Sequence, residues 1–447
     1  MLNRLARAFP ATACLALASL PAGAAETWAT LALVGGQVID GYEGPPIPDG
    51  VVLIAGERIV AVGPRSEVAV PAGTPIVDTE GMSVLPGLMD MHVHLMILGH
   101  SDYEHWDTTY MPRFRDEIMP IAARQLLMSG VTTVRDLGAP LDEILHVKRR
   151  IARGEIPGPR LYVSGPFIQR KPYFEYEKAV RWGVDGPDDA RAKVRKLLDA
   201  GVDFIKLIDQ DQLTDDEVKA VVDTAHQAGK PVVAHAHRED EIRMGLKHGV
   251  DCFEHTGLAT EPGYPDDILA ALRKRNQTLF WCPTIEGLFL ADYTARVFPE
   301  RLDDPAWQKD VPKDMAADIR RSLRNVTGLD YFTLTFRRLP TLPNKFRQLR
   351  DAGVTLLVGT DSGIPANFHT DSTWRELDTW VRLGMTPMQA IAGATRWPAR
   401  FLKMEKELGT LAPGRLADVI AVRGDVLTHV ALLQRVDVVV KNGVRVK

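Results

Sequence analysis

Residues 203–237 have the sequence DFIKLIDQDQLTDDEVKAVVDTAHQAGKPVVAHAH, in which two short apolar runs flank a longer polar segment. The segment TDDEVKAVVDTAHQAGK places its acids early and has basic or small residues before a closing glycine, as helices favour. A strand, a helix and a second strand in this order predict a parallel βα unit.

The same alternation continues through the middle of the chain. Its strand-like runs are MDMHVHLM, TTVRDLG, RLYVSGP, DFIKLID, PVVAHAH, CFEHTG, TLFWCPT and TLLVGTDS. Eight such units over residues 87–401 predict an α/β fold, a (β/α)8 TIM barrel. Residues 26–86 and 402–447 instead contain short β-rich runs broken by glycine-containing turns, which predict one small β-sandwich domain built from both chain ends.

The first 25 residues differ in composition from the rest. Arg4 and Arg7 precede a short apolar stretch, which ends in the small residues Ala22, Gly23 and Ala24. This three-part pattern predicts a secretory signal peptide at residues 1–25 that is too short to span a membrane. We therefore expect a periplasmic or secreted protein that has no membrane anchor after cleavage.

The bulk composition limits the partners of the protein. Of 447 residues, 45% are hydrophobic and 25% are charged, and the formal net charge of −4 does not favour binding to nucleic acid or an anionic membrane. We expect a small-molecule or peptide substrate. The composition does not decide between a monomer and a homo-oligomer. Cys252 and Cys282 could pair in an exported protein, but two cysteines make no disulfide framework, and we expect free thiols.

Polar residues interrupt the apolar runs near the C-terminal ends of the predicted strands. They are His92, His94, Lys206, His235, His237, His255 and Asp361. Residues two apart point to the same side of a strand, so each His-x-His pair can face the barrel axis. Because barrel active sites lie at the C-terminal ends of the strands, we expect these side chains to converge.

The converging set has the chemistry of a metal centre. Imidazole nitrogens and carboxylate oxygens together suit zinc-like divalent ions. Beside two such ions, and buried in a strand, Lys206 would favour the neutral amine. A neutral amine can add carbon dioxide to form a carbamate, whose two oxygens suit a bridge between metals. The alternatives are ordinary core histidines, and a lysine that reaches solvent or pairs with Asp209 or Asp211.

Five motifs in order, GLMDMHVHL, FIKLI, VVAHAH, CFEHTG and VGTDSG, resemble those of the amidohydrolase superfamily. The resemblance covers almost the whole chain after the signal peptide and includes GVTTVRDLG and GTLAPGRLADVIAV. It implies a binuclear metal centre bridged by a carboxylated lysine and a hydroxide. The implied cofactors are two divalent ions, with Zn²⁺ as the first choice and Mn²⁺ or Co²⁺ as alternatives.

The resemblance also implies a role for each residue of the set. The implied metal ligands are His92, His94 and Asp361 for one ion, and His235 and His255 for the other. Lys206, as N6-carboxylysine, would bridge them, and Asp361 would carry a proton from the attacking hydroxide to the leaving amine. His237 stays open as the alternative to His235, and otherwise would contact substrate.

Within the superfamily, these motifs resemble the imidazolonepropionase-like branch. That branch includes Xaa-Pro dipeptidases, related carboxypeptidases and enzymes that cleave N-acyl amino acids such as ochratoxin, which implies hydrolysis of an amide or peptide bond to a C-terminal amino acid. Arg170 and Tyr173, in the loop after the third strand, and His369 are candidate substrate-binding residues. We expect the long segment 285–350 to cap the site.

Other functions remain as alternatives. Glu239 and Glu241 follow the fifth-strand histidines, as a metal-dependent deaminase would allow, but such deaminases typically use one metal and lack the bridging lysine. Hydrolysis of a cyclic amide, a lactone or a phosphotriester would use the same centre. A non-catalytic scaffold is disfavoured because every ligand position is filled.

Overall fold

The computed structural model of the protein describes residues 29–257, 260–286, 294, 297–324 and 335–447. The predicted signal peptide at residues 1–25 lies outside the described residues. The strands are β1 (Leu31–Val38), β2 (Ile47–Ala55), β3 (Arg58–Pro64), β4 (Ile76–Asp78), β5 (Met82–Pro86), β6 (Leu88–Val93), β7 (Val131–Asp136), β8 (Arg160–Val163), β9 (Phe167–Gln169), β10 (Arg181–Gly183), β11 (Ile205–Leu207), β12 (Val232–His235), β13 (Cys252–Glu254), β14 (Phe280–Cys282), β15 (Thr355–Leu356), β16 (Val419–Arg423), β17 (Val438–Lys441) and β18 (Val444–Arg445).

Most of the helices lie between these strands in the chain. The α-helices are α1 (Tyr103–Tyr110), α2 (Met119–Met128), α3 (Leu141–Ala152), α4 (Pro187–Ala200), α5 (Asp215–Gln227), α6 (Glu239–His248), α7 (Asp266–Arg275), α8 (Pro305–Gln308), α9 (Lys313–Arg324), α10 (Thr335–Arg338), α11 (Leu342–Asp351), α12 (Ser372–Arg382), α13 (Pro387–Gly393) and α14 (Arg396–Phe401). None of the helices in the described part of the chain is long and apolar enough to cross a membrane.

An eight-stranded sheet takes its strands from both ends of the described chain. Its order is β18-β17-β16-β5-β1-β2-β3, with β4 paired to β1. Alternate residues of β1 enter two different apolar clusters, since Leu31 and Leu33 belong to one and Ala32 and Val34 to the other. This alternation is the side-chain period of a strand, and it buries both faces of the sheet.

Two further sheets are entirely parallel. The first has the order β6-β7-β8 and the second has the order β10-β9-β11-β12-β13-β14-β15. Each of the eight strand-like runs overlaps one of these strands, and the predicted α/β class is confirmed. Strands β9 and β10 were not predicted, because they come from a segment of mixed polarity that pairs onto the edge of β11.

Backbone hydrogen bonds connect the two parallel sheets on both sides. At one side, Met91 N donates to Val358 O at 2.9 Å and His94 N donates to Ser362 O at 2.8 Å. At the other side, Asp203 N donates to Val163 O at 2.8 Å. The segment after β15 therefore lies beside β6, and the segment before β11 lies beside β8.

The helices pack against the parallel strands through apolar stripes of helical spacing. In α4 the buried residues are Ala190, Val194 and Leu197, and Gly201 ends the helix with a positive φ of 97°. Glycine adopts this left-handed conformation without steric cost, so α4 stops there and the chain returns to the sheet. Cys252 and Cys282 are buried free thiols, as expected from the sequence.

Candidate metal-binding active site

The polar residues of the sequence motifs meet at the C-terminal ends of the parallel strands. His92 lies in β6, His235 ends β12 and His255 directly follows β13, whereas Asp361 lies five residues beyond the short strand β15. Parallel strands carry their carboxyl ends at one edge, and residues from distant parts of the chain are thereby brought together.

His92, His94 and Asp361 form the first group. One oxygen of Asp361, Oδ1, lies 3.3 Å from His92 Nε2 and 3.1 Å from His94 Nε2. Ligand atoms bound to one tetrahedral ion at about 2.0–2.1 Å lie about 3.3 Å from each other. The spacing of these three side chains therefore suits one ion of the zinc class.

A second group contains His235, His237 and His255, whose candidate ligand nitrogens all lie within 4.8 Å of one another. The ring centroids of His235 and His237 lie 4.7 and 4.3 Å, respectively, from the centroid of His255. Both histidines of the fifth predicted strand thus reach this group, and the choice between them as metal ligand stays open.

Lys206 is fully buried in β11 and interacts electrostatically with Asp361 of the first group and with His235 and His255 of the second. Among the described residues, its Nζ atom makes no hydrogen bond. Burial lowers the pKa of Lys206 to about 8, against the raising influence of Glu254 and Asp361. The neutral amine, the form that reacts with carbon dioxide, is therefore far more accessible near neutral pH than in an ordinary lysine, although the ammonium still predominates.

Glu254 holds His92 in place, a contact that the sequence analysis missed. Its Oε2 accepts a hydrogen bond from His92 Nδ1 at 2.9 Å, and its Oε1 accepts one from Arg135 Nη2 at 2.5 Å. Burial acts to raise the pKa of Glu254, but Arg135 and His92 hold it at about 2. A carboxylate that binds Nδ1 leaves Nε2 as the metal-binding nitrogen of the ring.

His255 and His94 also have one ring nitrogen beside a neighbouring group. His255 Nδ1 and Thr284 Oγ1 are 2.8 Å apart, and His255 Nε2 makes no hydrogen bond among the described residues. His94 Nδ1 lies 3.4 Å from the carbonyl oxygen of Gly138. In each ring one nitrogen lies beside a neighbour, and the other remains available as a ligand, with His94 Nε2 3.1 Å from Asp361 Oδ1.

The backbone at the centre is strained. His255 has φ of 77° and Asp361 has φ of 59°, a left-handed conformation that is unusual for residues other than glycine. Gly359 also permits a close approach, because a Cβ atom there would lie 2.3 Å from Cys282 Sγ and 2.8 Å from His92 N. Strain of this kind persists where surrounding structure enforces it, and it is concentrated at functional sites.

The surroundings of Asp361, His235 and His255 favour the states that bind a cation. Burial acts to raise the pKa of Asp361, but His92 and His94 hold it well below its usual range. Burial, together with positive neighbours, lowers the pKa of His235 and of His255 well below the usual value. The aspartate is therefore ionised and these two imidazoles are neutral, as metal ligation requires.

The centre lies in a cavity of about 500 Å³. Of the predicted substrate-binding residues, His237 and Tyr173 line it. Arg170 does not, since its guanidinium pairs with Glu217 at 2.6 Å. His369 is also outside the lining, buried with Nε2 3.2 Å from the backbone oxygen of His94.

The predicted cap is described in part. From the segment 285–350, Arg338 and Leu342 contribute to the cavity wall. Burial and the nearby cation of Arg338 lower the pKa of His237 to about 3. The described part of this segment thus adds a positive charge to the wall and keeps His237 neutral.

The donor set fits a pair of divalent ions. Two groups of three nitrogen and oxygen donors lie beside each other, and two buried nitrogens close to them, Lys206 Nζ and His255 Nε2, make no hydrogen bond among the described residues. Buried polar atoms normally have partners, so these two nitrogens are available to a bound species.

Comparisons with known proteins agree with this chemistry. Ochratoxinase of Aspergillus niger is 25% identical over 443 residues, covering 90% of this chain and 83% of the relative. A 5-methylthioadenosine/S-adenosylhomocysteine deaminase of Symbiobacterium thermophilum is 23% identical over 88% of this chain and 85% of the relative. The crystal structure of a Xaa-Pro dipeptidase with methionine bound in its active site is similar, with a TM-score of 0.71 and 25% sequence identity. The match covers 93% of this chain and 99% of the dipeptidase.

The family assignment rests on most of the chain. Residues 83–446 match the model of the amidohydrolase family. The matched region contains all the histidines, the lysine and the aspartate of the candidate centre. The protein therefore belongs to the amidohydrolase family, which is generally metal-dependent, and is a hydrolytic enzyme that acts on carbon–nitrogen bonds.

Proposed function

We propose that the protein is a binuclear-metal-dependent hydrolase that cleaves the amide or peptide bond to a C-terminal amino acid. It would act as a dipeptidase, a carboxypeptidase or an N-acyl-amino-acid amidohydrolase. The observation that carries this proposal is the convergence of two donor groups on one cavity, with the buried Lys206 close enough to Asp361 and His235 to interact with both electrostatically. The names of the similar ochratoxinase and Xaa-Pro dipeptidase support this class of bond.

The chain offers a complete set of residues to hold two ions. His92, His94 and Asp361 would hold one, and His255 with His235 or His237 would hold the other. Lys206 would bridge them as a carbamate, formed when its neutral amine adds carbon dioxide and releases one proton. When bound, two divalent ions, zinc first and manganese or cobalt as alternatives, would acidify a water molecule and polarise the scissile carbonyl.

Asp361 and His237 would carry out the remaining steps. The ionised carboxylate of Asp361 accepts a proton from the attacking water and delivers it to the leaving nitrogen. Where His235 holds the ion, His237, which lines the cavity, has a neutral ring that donates one N–H to the oxyanion that develops from the carbonyl. The positive charge of Arg338 on the same wall attracts the carboxylate of the substrate.

The test is a hydrolysis screen of dipeptides and N-acyl amino acids with zinc-loaded and manganese-loaded protein. Each substrate is paired with its C-terminal amide, which keeps the scissile bond but removes the carboxylate. We expect cleavage of the free acids and at least about tenfold lower kcat/KM for the amides. Equal cleavage of both forms, or cleavage of none of these substrates, would contradict the proposal.

A deaminase remains the second candidate because one of the similar proteins has that name. The predicted proton carriers for it are engaged elsewhere. Glu241 is buried and its Oε2 accepts hydrogen bonds from the backbone nitrogens of His237 and Arg238 at 2.6 and 2.9 Å, while Glu239 pairs with Arg243 at 2.8 Å. Release of ammonia from aminopurines in the same screen would favour the deaminase.

We also propose the finer features of the fold and the location. The hydrogen bonds that connect the two parallel sheets on both sides support a closed (β/α)8 barrel, and the two apolar faces of the eight-stranded sheet support a β-sandwich. A crystal structure tests both. Export to the periplasm or medium rests on residues 1–25, and fractionation of cells that express the full chain tests it.

A further inference from the structure

One wall of the cavity is aromatic and acidic. Its aromatic residues are Tyr103, Phe167, Tyr173, Phe174 and Tyr176. The rings of Phe174 and Tyr176 stack in parallel, with centroids 5.4 Å apart and planes at 6°. Besides Asp361 of the metal centre, three carboxylates line the same cavity, those of Asp107, Glu177 and Asp209. Aromatic faces beside a carboxylate form the arrangement that binds organic cations.

Two of these carboxylates already have partners. Glu177 Oε2 accepts hydrogen bonds from the backbone nitrogens of Tyr173 and Phe174 at 3.1 and 3.2 Å, and its Oε1 lies 3.2 Å from Arg181 Nε. Asp209 pairs with Arg238 Nη2 at 2.7 Å. Their negative charges are therefore largely balanced within the wall.

Asp107 is different. It lies in α1, is only 8% exposed and lines the cavity. Among the described residues, its carboxylate forms no hydrogen bond and no ion pair within 4 Å. The nearest cation of the wall, Arg181, pairs instead with Glu177 and stacks over the rings of Phe167 and Tyr173 at 5.1 and 4.7 Å. A buried carboxylate without a partner is costly.

The ionisation of Asp107 is consistent with a missing partner. Burial, with a smaller contribution from Glu177, raises the pKa of Asp107 to about 7. A cation placed beside the carboxylate would remove this cost.

We propose that Asp107 and the aromatic wall around it form a subsite for a cationic group of the substrate, an ammonium or a guanidinium. This inference rests on the proposed amide hydrolysis, because the subsite lies in the same cavity as the candidate metal centre. The cation has two possible sources in such substrates: a basic side chain on the C-terminal amino acid, or the free α-ammonium group of a dipeptide.

Paired substrates distinguish the sources. N-benzoyl-lysine and N-benzoyl-norleucine differ by the side-chain ammonium. Leucyl-norleucine and 4-methylpentanoyl-norleucine differ by the α-ammonium. In at least one pair, we expect kcat/KM of the zinc-loaded enzyme to be on the order of 10- to 100-fold higher for the cationic member, because hydrogen bonds to charged groups contribute this much. No preference in either pair would overturn the proposal.

Variants assign the preference to Asp107. Asp107→Asn keeps the size of the side chain and removes its charge, so the cationic-to-neutral ratio of kcat/KM should fall at least about tenfold. Glu104→Gln removes a carboxylate from the exposed side of the same helix and should keep the wild-type ratio. A wild-type ratio in Asp107→Asn would assign the preference elsewhere and refute the role of Asp107.

A binding measurement separates this inference from the proposed function. Calorimetry compares lysine with norleucine, and leucinamide with 4-methylpentanamide, on the metal-loaded wild-type protein without turnover. At least one cation should bind about tenfold or more tightly than its neutral counterpart. Cation-selective binding without hydrolysis of any amide would refute the proposed function alone. Hydrolysis without a preference for the cation would refute the subsite alone.

Discussion

Glu254→Gln is the substitution that most directly tests how the metal centre is held. The Glu254 carboxylate accepts hydrogen bonds from His92 at 2.9 Å and from Arg135 at 2.5 Å, and all three side chains are at most 1% exposed. Glutamine has nearly the same shape but only one acceptor oxygen. One of the two donors therefore faces the amide NH2 group, and the guanidinium loses its counter-charge.

The expected magnitudes follow from these contacts. Removing one partner of a buried ion pair typically costs about 3–5 kcal/mol of unfolding free energy. Solvent does not screen this pair, because both of its partners are fully buried. Loss of the group that orients a metal-binding histidine typically lowers metal affinity by about 10- to 100-fold.

Two measurements check these values. Urea unfolding followed by circular dichroism gives the loss of stability, and competition with a chelator gives the zinc affinity. Glu217→Gln is the matched control. Glu217 is also buried and pairs with Arg170 at 2.6 Å, but among the described residues it contacts no histidine. The control should lose stability and keep its zinc affinity.

Two results would refute the reasoning. If Glu254→Gln binds zinc as tightly as the wild type, Glu254 does not orient His92 for ligation. If Glu217→Gln loses the same zinc affinity, the effect follows from general destabilisation and not from the contact with His92.

Three further predictions concern the same centre. Lys206→Ala should lose hydrolysis and regain part of it with added short-chain carboxylic acids, which can replace the carbamate. Steady-state rates with and without acetate test this, and an unaffected variant would exclude the bridging role. Asp361→Asn should lower kcat by about 10²- to 10⁴-fold, with a smaller loss of bound zinc by elemental analysis; an equal loss of both would make Asp361 a ligand only. Gly257→Ala would place a Cβ 1.5 Å from the oxygen of Ala236 at a φ of 47°, so urea unfolding should show a loss of about 1–3 kcal/mol, and unchanged stability would contradict it.

The sequence predicted the elements of the centre because buried parallel strands are nearly continuous apolar runs. Against that background His92, His235 and Lys206 stand out, and their positions near strand ends bring them to one edge of the sheet. Asp361 was predicted in the eighth strand. The structure ends β15 at Leu356 and places Asp361 in a left-handed turn beyond it, which a strand pattern does not reveal.

The supporting contacts were beyond sequence reasoning. Arg135 and Glu254 also carry charge inside apolar strands, a signal as strong as that of Lys206, but their pairing joins strands 119 residues apart. Arg170 was predicted near the substrate from its loop, and its pairing with Glu217 depends on a helix 47 residues away. The sequence did not mark Asp107 as a buried functional residue, because an acid on a short helix usually faces solvent.

Arg135 and Lys206 are both basic residues buried in strands but, of the two, only Arg135 is paired with a carboxylate in the described part of the chain. This difference explains why residue 206 is a lysine. A guanidinium keeps its proton in proteins, so Arg135 needs the carboxylate of Glu254, which binds it at 2.5 Å. A lysine can lose its proton, and burial lowers the pKa of Lys206 to about 8. Because Glu254 is engaged by Arg135 and His92, the Lys206 amine is left without a hydrogen bond among the described residues and in equilibrium with its neutral, nucleophilic form. An arginine at position 206 would remain a cation beside the metal site, so the proposed bridge requires lysine there and a charge-fixed partner for Glu254 at position 135.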